Sequence, residues 1–200
     1  MPETFMLTEL TQVRAIAHPL RLRILEAFSQ GPRTTKQVAV EMREHPTRLY
    51  HHVDMLARAG LLEFVGTKGK RGTTERYFRA AAPAFQVDRK VLECGAKSAQ
   101  DSSTYAQLFL AGFQASLQEA RESVAAGLIQ PETKGRNALL YRRHLALGVS
   151  EQRQLTTRIR EWLRQLRRRP GARFGVALAV YPLPGRAADT RRSNARRKGR

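Results

Sequence analysis

A mainly helical α+β fold is predicted for this chain of 200 residues. Three observations predict it. Apolar residues recur at helical spacing in four short blocks before residue 60. Two strand-like runs, Leu61–Val65 and Glu75–Arg79, then flank the loop Thr67-Lys68-Gly69-Lys70-Arg71-Gly72-Thr73-Thr74, rich in Gly and positive charge. A long helical pattern over residues 98–127 opens a second half in which helix and strand patterns alternate.

The first helix follows from Leu10, Val13, Ile16 and Ala17. His18-Pro19 interrupts it, because proline disfavours helix in the residue before it and suits the first turn of a new one. The second helix runs Leu20 to Phe28, with Leu20, Ile24, Leu25 and Phe28 on one face, and Gly31-Pro32 ends it. Thr34 or Thr35 can cap a third helix whose apolar side is Val38, Ala39 and Met42. Glu44-His45-Pro46 is a turn. The fourth helix, Thr47 to Ala59, buries Leu49, Val53 and Leu56, and Gly60 stands where a C-capping glycine belongs. Half a turn away lie Arg48, His51, Met55 and Arg58, with Thr47 near the start. Helix, turn, helix, then a basic hairpin is the order of parts in a winged helix-turn-helix. Such a unit presents one helix and one hairpin to a duplex. Thr47, Arg48, Tyr50 and His51 are the expected contacts from the helix, Arg48, His51 and Thr47 to base edges. Lys68, Lys70 and Arg71 are the expected wing contacts to phosphate or minor groove.

Two stretches carry a family resemblance. Ala15-Ile16-Ala17-His18-Pro19-Leu20-Arg21-Leu22-Arg23-Ile24-Leu25 resembles the opening of ArsR-like bacterial transcription regulators. So does Arg48-Leu49-Tyr50-His51-His52-Val53-Asp54-Met55-Leu56, followed by Ala59-Gly60-Leu61-Leu62. The resemblance covers roughly residues 10–80. It implies a winged helix working as a homodimer on an inverted-repeat operator. Metal-sensing members place cysteines in the helix matching Lys36–Met42. Here that stretch begins Lys36-Gln37-Val38-Ala39-Val40, without a thiol, so the resemblance is to a metal-independent branch.

The second half begins with the 98–127 helix, whose stripe includes Tyr105, Leu108, Phe109, Gly112, Phe113, Leu117, Ala120 and Val124. Tyr105, Phe109, Phe113 and Leu117 are expected at a dimer interface, with a place in the core as the plainer alternative. Residues 137–147 are ambiguous and lean to strand at Ala138-Leu139-Leu140-Tyr141. Ser150 opens a helix with Leu155, Ile159, Trp162, Leu163 and Leu166 on one face, and Arg173 to Tyr181 reads as a strand. The domain reading is a winged helix-turn-helix over 7–82, a helix-strand-helix-strand module over 84–184, and a disordered basic tail over 185–200. The module is expected to dimerise the protein, to sense a small-molecule effector of unread identity, or both.

Net charge is +19, which points to a polyanionic partner, double-stranded DNA first. Residues 186–200 carry seven Arg/Lys against one Asp. Such a segment cannot offset the entropy of ordering. The single cysteine, Cys94, excludes an internal disulfide or a paired-Cys metal site, and is read as an inert thiol. His51 and His52 are adjacent, point in different directions, and cannot form a ligand pair at i, i+4 spacing. His52, three residues from Leu49, is read as a hydrogen-bonded structural histidine, and His18 as a helix break. His45 and His144 show no partner. The arginine face of Arg153, Arg158, Arg160, Arg164 and Arg168 is read as solvated, with phosphate contact as the alternative.

No nucleophile elbow, P-loop, zincin or dinucleotide motif occurs, so no catalysis and no cofactor are expected. The start of the chain lacks a basic segment followed by a long apolar run, and Phe174 to Leu183 is too short for a bilayer. A cytoplasmic location without membrane association is expected. The function expected is a sequence-specific DNA-binding transcription regulator, homodimeric on a palindromic operator. The alternatives are a non-specific or architectural nucleic-acid-binding protein and a module that docks another protein.

Overall fold

The computed structural model describes residues 2–70, 73–88, 90–91, 99–129, 138, 140, 145–165 and 174–181. Two compact units result, Met1–Ile129 and Gln130–Arg200. The first contains helices α1 (Leu10–Ile16), α2 (Pro19–Phe28), α3 (Thr35–Glu41), α4 (Pro46–Arg58) and α5 (Ala99–Ala125). Its strands are β1 (Phe5–Leu7), β2 (Arg33–Thr34), β3 (Leu62–Lys70), β4 (Thr73–Ala80) and β5 (Phe85–Val87). Helix α6 (Val149–Gln165) belongs to the second unit. The architecture is α+β and mainly helical.

Helices α2, α3 and α4 start or stop for local reasons. Pro19 and Pro46 occupy first turns, where the missing N–H has no intrahelical partner to lose. The residues before them act as caps. His18 Nδ1 accepts from the Leu20 N–H at 3.2 Å, and His45 Nδ1 from the Thr47 N–H at 3.4 Å. His18 is therefore more than a helix break, and His45 acquires a role its sequence context does not show. Thr34 caps α3 reciprocally: its Oγ1 accepts from the Gln37 N–H at 3.2 Å, while Gln37 Oε1 accepts from the Thr34 N–H at 2.9 Å. Both α3 and α4 end in a left-handed residue, Arg43 at φ 54° and Gly60 at φ 71°. The next N–H then reaches five residues back, Glu44 to Ala39 and Leu61 to Leu56, both at 2.9 Å.

The core is one cluster. Leu7, Val13, Ile24, Phe28, Val38, Leu49, Val53, Leu56 and Leu61 are fully buried, at about 1.5–3 kcal/mol for each large side chain. The three-stranded sheet runs β2-β4-β3, all antiparallel, with Phe78 opposite both Arg33 and Phe64. The basic loop expected over 67–74 is mostly strand. Lys68 pairs with Glu75, Gly69 with Thr74 and Lys70 with Thr73, because ladder hydrogen bonds continue past the last apolar residue. A bulge between Phe64 and Gly66 shifts the register. A second, parallel pair, β1 with β5, joins Phe5 to Phe85 and Leu7 to Val87.

Helix α5 packs on α1 and α2. Thr104, Ala111 and Ala115 form its buried face, with Tyr105 and Leu108 partly buried against the core. Alanines one turn apart let the backbones approach. Arg23 Nη2 donates to both carboxylate oxygens of Glu122, at 2.7 and 2.9 Å, and ties the C-terminal end of α5 to α2. The first unit thus extends to Ile129, where the sequence reading ended the winged helix at 82 and assigned this helix to a separate module. The physical reason is the inner stripe of α5, which is satisfied by α1 and α2.

In the second unit, Gly148 N–H donates to Glu151 Oε2 at 2.7 Å at the start of α6. Leu155 and Ile159 are half-buried, while Arg153, Arg158 and Arg160 are exposed. The strand expected over Arg173–Tyr181 does not form among described residues 174–181, nor does one form at 138, 140 or 145–148. A strand needs a partner ladder, and the side chains of Phe174, Val176, Leu178 and Val180 are exposed instead. The rest of 137–147, Cys94, His144, Arg164, Arg168 and the tail over 185–200 lie outside the described residues, apart from the backbone of Arg164 in α6.

The reciprocal cap of α3 generates a stability prediction. Thr34→Ala is expected to lower unfolding free energy by about 1 kcal/mol. Urea denaturation followed by circular dichroism measures it, and an unchanged midpoint at unchanged slope would remove the cap from the account of α3.

Candidate nucleic-acid interface

The apolar residues of α4 decide which way its polar face points. Leu49, Val53 and Leu56 are buried at i, i+4 and i+7. Thr47, Arg48, Tyr50, His51, Asp54 and Arg58 are consequently exposed. Met55 differs from its sequence assignment to the outer face. It is half-buried, and its Sδ lies 3.9 Å from Arg21 Nη1. Arg21 also donates to the Arg14 carbonyl at 3.1 Å and to the Ala15 carbonyl, so one guanidinium satisfies the end of α1 and supports α4.

Arg48 is not a bare cation. Its Nη1 donates to Glu44 Oε2 at 2.9 Å, with the arginine side chain 61% exposed and the carboxylate 21%. A duplex would have to offer Arg48 a better acceptor pair than this carboxylate. Guanine O6 and N7 form such a pair, whereas a lone phosphate sits unfavourably beside Glu44.

The wing rises next to this helix. A cavity of about 160 Å³ is bordered by the start of α3 (Thr34, Thr35, Lys36), by α4 (Tyr50, Val53, Asp54) and by β4 (Thr74, Glu75, Arg76, Phe78). One cleft therefore separates the second helix of the pair from the hairpin. Lys68 is exposed on β3, and Lys70 ends that strand. Arg71 lies outside the described residues. Further down the hairpin, Arg79 is neutralised by Glu63 at 3.0 Å.

A histidine cluster joins α4 to the start of α2. The rings of His18 and His52 are 5.1 Å apart, and those of His51 and His52 are 5.8 Å apart. Among the described residues, His52 Nδ1 is buried without a hydrogen-bond partner, contrary to the hydrogen-bonded role its position suggested. Burial lowers the pKa of both His18 and His52. The charges of Arg21 and Arg48 add to this at His18, and those of His18, Arg21, His51 and Arg48 at His52. Among the described residues no group of three or more His, Cys, Asp or Glu side chains could hold a metal ion.

The residues expected at a dimer interface are divided by the structure. Phe109, Phe113 and Leu117 lie on the outer face of α5, at 43, 42 and 52% exposure. Tyr105 packs inward instead, against the core of its own chain.

Residues 16–65, from the end of α1 into β3, match the family model of a helix-turn-helix domain. No curated protein sequence matches the chain. The family match supports a helix-turn-helix DNA-binding regulator, and no described helix is long and apolar enough to cross a membrane.

The histidine cluster predicts acid sensitivity. A pKa lower in the folded state than the ordinary value near 6.5 means that the unfolded chain binds protons more readily. Stability is therefore full above about pH 6.5 and declines as pH falls through the depressed folded pKa values. His18→Asn keeps a capping acceptor and His52→Gln keeps the bulk, while both remove the titration. The double variant is expected to show a flatter loss of stability below pH 6.5 than the parent in urea titrations at a series of pH values. Parallel curves would place the acid response elsewhere.

Proposed function

We propose that the protein is a sequence-specific, homodimeric transcription regulator of the ArsR-like, metal-independent kind, acting on a palindromic operator. The observation that carries this reading is the cleft-side arrangement of α4 and the wing. A buried apolar stripe turns Thr47, Arg48, Tyr50 and His51 outward beside a hairpin bearing Lys68 and Lys70. The helix-turn-helix match spans the two helices that a major-groove reader needs. Arg48, His51 and Thr47 are assigned to base edges, Tyr50 to a further DNA contact from the same helix, and Lys68, Lys70 and Arg71 to phosphates or the minor groove. Helix-turn-helix DNA-binding domains are typically non-enzymatic, and no catalytic role is assigned to this one. Cytoplasmic action follows from the same reading.

The dimer is assigned to the outer face of α5. Phe109 and Phe113 stack edge to face at 5.0 Å, and Leu117 and Val124 continue the stripe along the exposed side. A second copy, related by a two-fold axis, buries this stripe against itself. Two recognition helices then meet half-sites about one helical turn apart, roughly 34 Å.

Selection of sites from random DNA with the full chain tests the specific reading. Recovery of no preferred sequence would favour the non-specific alternative, for which the net charge of +19 speaks. Arg48→Ala is expected to cost about 1–3 kcal/mol at the selected site and to relax preference at one base position. An equal loss on selected and random DNA would make Arg48 a phosphate contact. Leu117→Glu is expected to shift the sedimenting species from dimer to monomer and to abolish binding to two half-sites at once. A monomeric parent chain on a palindromic site would remove α5 from the assembly.

A further inference from the structure

Three arginines of the helix pair and the wing are already engaged. Arg48 pairs with Glu44, Arg79 with Glu63 and Arg33 with Glu41. Arg76 on β4 is exposed and forms no ion pair among the described residues. Its guanidinium lies 5.5 Å from the Phe64 ring centre and 5.0 Å from that of Phe78. These rings are not loose. Phe64 and Phe78 meet edge to face at 5.9 Å, and Phe78 meets Phe28 of α2 at 6.4 Å, so the stack is rooted in the core. Phe64 itself is 54% exposed, a large apolar ring on the wing held between Phe78 and this guanidinium.

A guanidinium held over aromatic faces has lost much of its rotamer freedom before any ligand arrives. It keeps its N–H donors directed to the side, in the plane of the fork. Arg76 also lines the cavity between α3, α4 and the wing, where Lys36 and Tyr50 add a second cation and a hydroxyl. Asp54 and Glu75 border the same cavity. Two cations thus balance two carboxylates, and removal of Arg76 would leave a net negative cleft.

We propose that Arg76, pre-set by Phe64 and Phe78, takes a DNA backbone phosphate at the mouth of this cleft, with Lys36 and Tyr50 beside it. The assignment rests on the proposed function and adds a contact at the base of the wing to those expected near its tip. It fixes the register of α4 in the groove without reading a base. The rings supply rigidity and the guanidinium supplies the charge.

The test is a salt titration of duplex binding by the full chain, using a selected site and a random duplex of equal length. Arg76→Ala is expected to weaken both by roughly tenfold at low salt, and to lower the salt slope by about 0.9. Arg76→Lys and Phe64→Ala are expected to keep the slope but bind more weakly, since charge remains while the stacked geometry is lost. Arg79→Ala, which removes a cation already paired with Glu63, is expected to leave the slope unchanged. Thermal melts of each variant separate misfolding from loss of contact, and Arg76→Lys carries the test if the alanine variant does not fold. Parent-like affinity and slope in Arg76→Ala, or an equal loss in Arg79→Ala, would overturn the assignment while the proposed function stands. A parent chain that binds no duplex would overturn both.

Discussion

The burial of Leu49, Val53 and Leu56 is the constraint on which the candidate interface depends. These three side chains seat α4 on the core formed by Ile24, Phe28 and Val38, and their spacing leaves no freedom in the helix's rotation. Everything outward on α4 is outward because they are inward. The same seat sets the wing. Leu61 continues directly from the left-handed Gly60, its N–H returns to Leu56, and its side chain is fully buried. Strand β3 therefore leaves the helix in one fixed direction. Loss of any of these three side chains would disturb the helix's orientation and the hairpin's origin together.

The electrostatics of this surface are quieter than its composition suggests. Residues 7–80 carry thirteen Arg/Lys against seven Asp/Glu, and the structure pairs several of the arginines with those carboxylates. Most of the chain's excess charge lies in other residues. A surface whose arginines are partly neutralised attracts phosphate less indiscriminately than a bare basic patch does. It also asks an incoming duplex to replace a carboxylate with something better. That exchange favours acceptor pairs of the right geometry, which is a physical route to specificity.

Much of the first unit was legible in the sequence because its signals are local. The Pro19 helix start, the Thr34 cap, the Gly60 stop and the buried stripe of α4 each follow from residues within a turn of one another, whereas Pro46, read as part of the turn, opens α4. What was not legible depends on partners far away in the chain. The pairing of Phe5 with Phe85 joins two three-residue strands with no periodicity to announce them. The inward turn of Tyr105 and Met55 is set by neighbours on α1 and α2, which no spacing within α5 or α4 reveals. The setting of Arg76 was not legible either: Phe78 follows it on the same strand, but Phe64 completes the stack from across the hairpin, and the basic tip drew the reading toward Lys68, Lys70 and Arg71. The second unit shows the converse failure. Alternating apolar residues over 174–181 gave a strand signal, but a signal of periodicity does not supply a partner.

Helix α2 joins the two surfaces to which function is assigned. It packs α5 on one side through Arg23 and Glu122, and it meets α4 on the other through Arg21 and Met55. Arg21 and Arg23 are two residues apart, so they leave the helix in different directions and brace different neighbours. Under the proposed dimer, the position of each α4 relative to the two-fold axis is set by this ten-residue helix together with α1, which also lies between α5 and α4. A close-packed interior does not deform smoothly. A shift of α5 against its partner would be carried through α2 as a nearly rigid movement of α4, and would change the separation of the two recognition helices. The half-site spacing that the protein accepts is, on this account, a property of the packing around α2 and not of the residues that touch DNA.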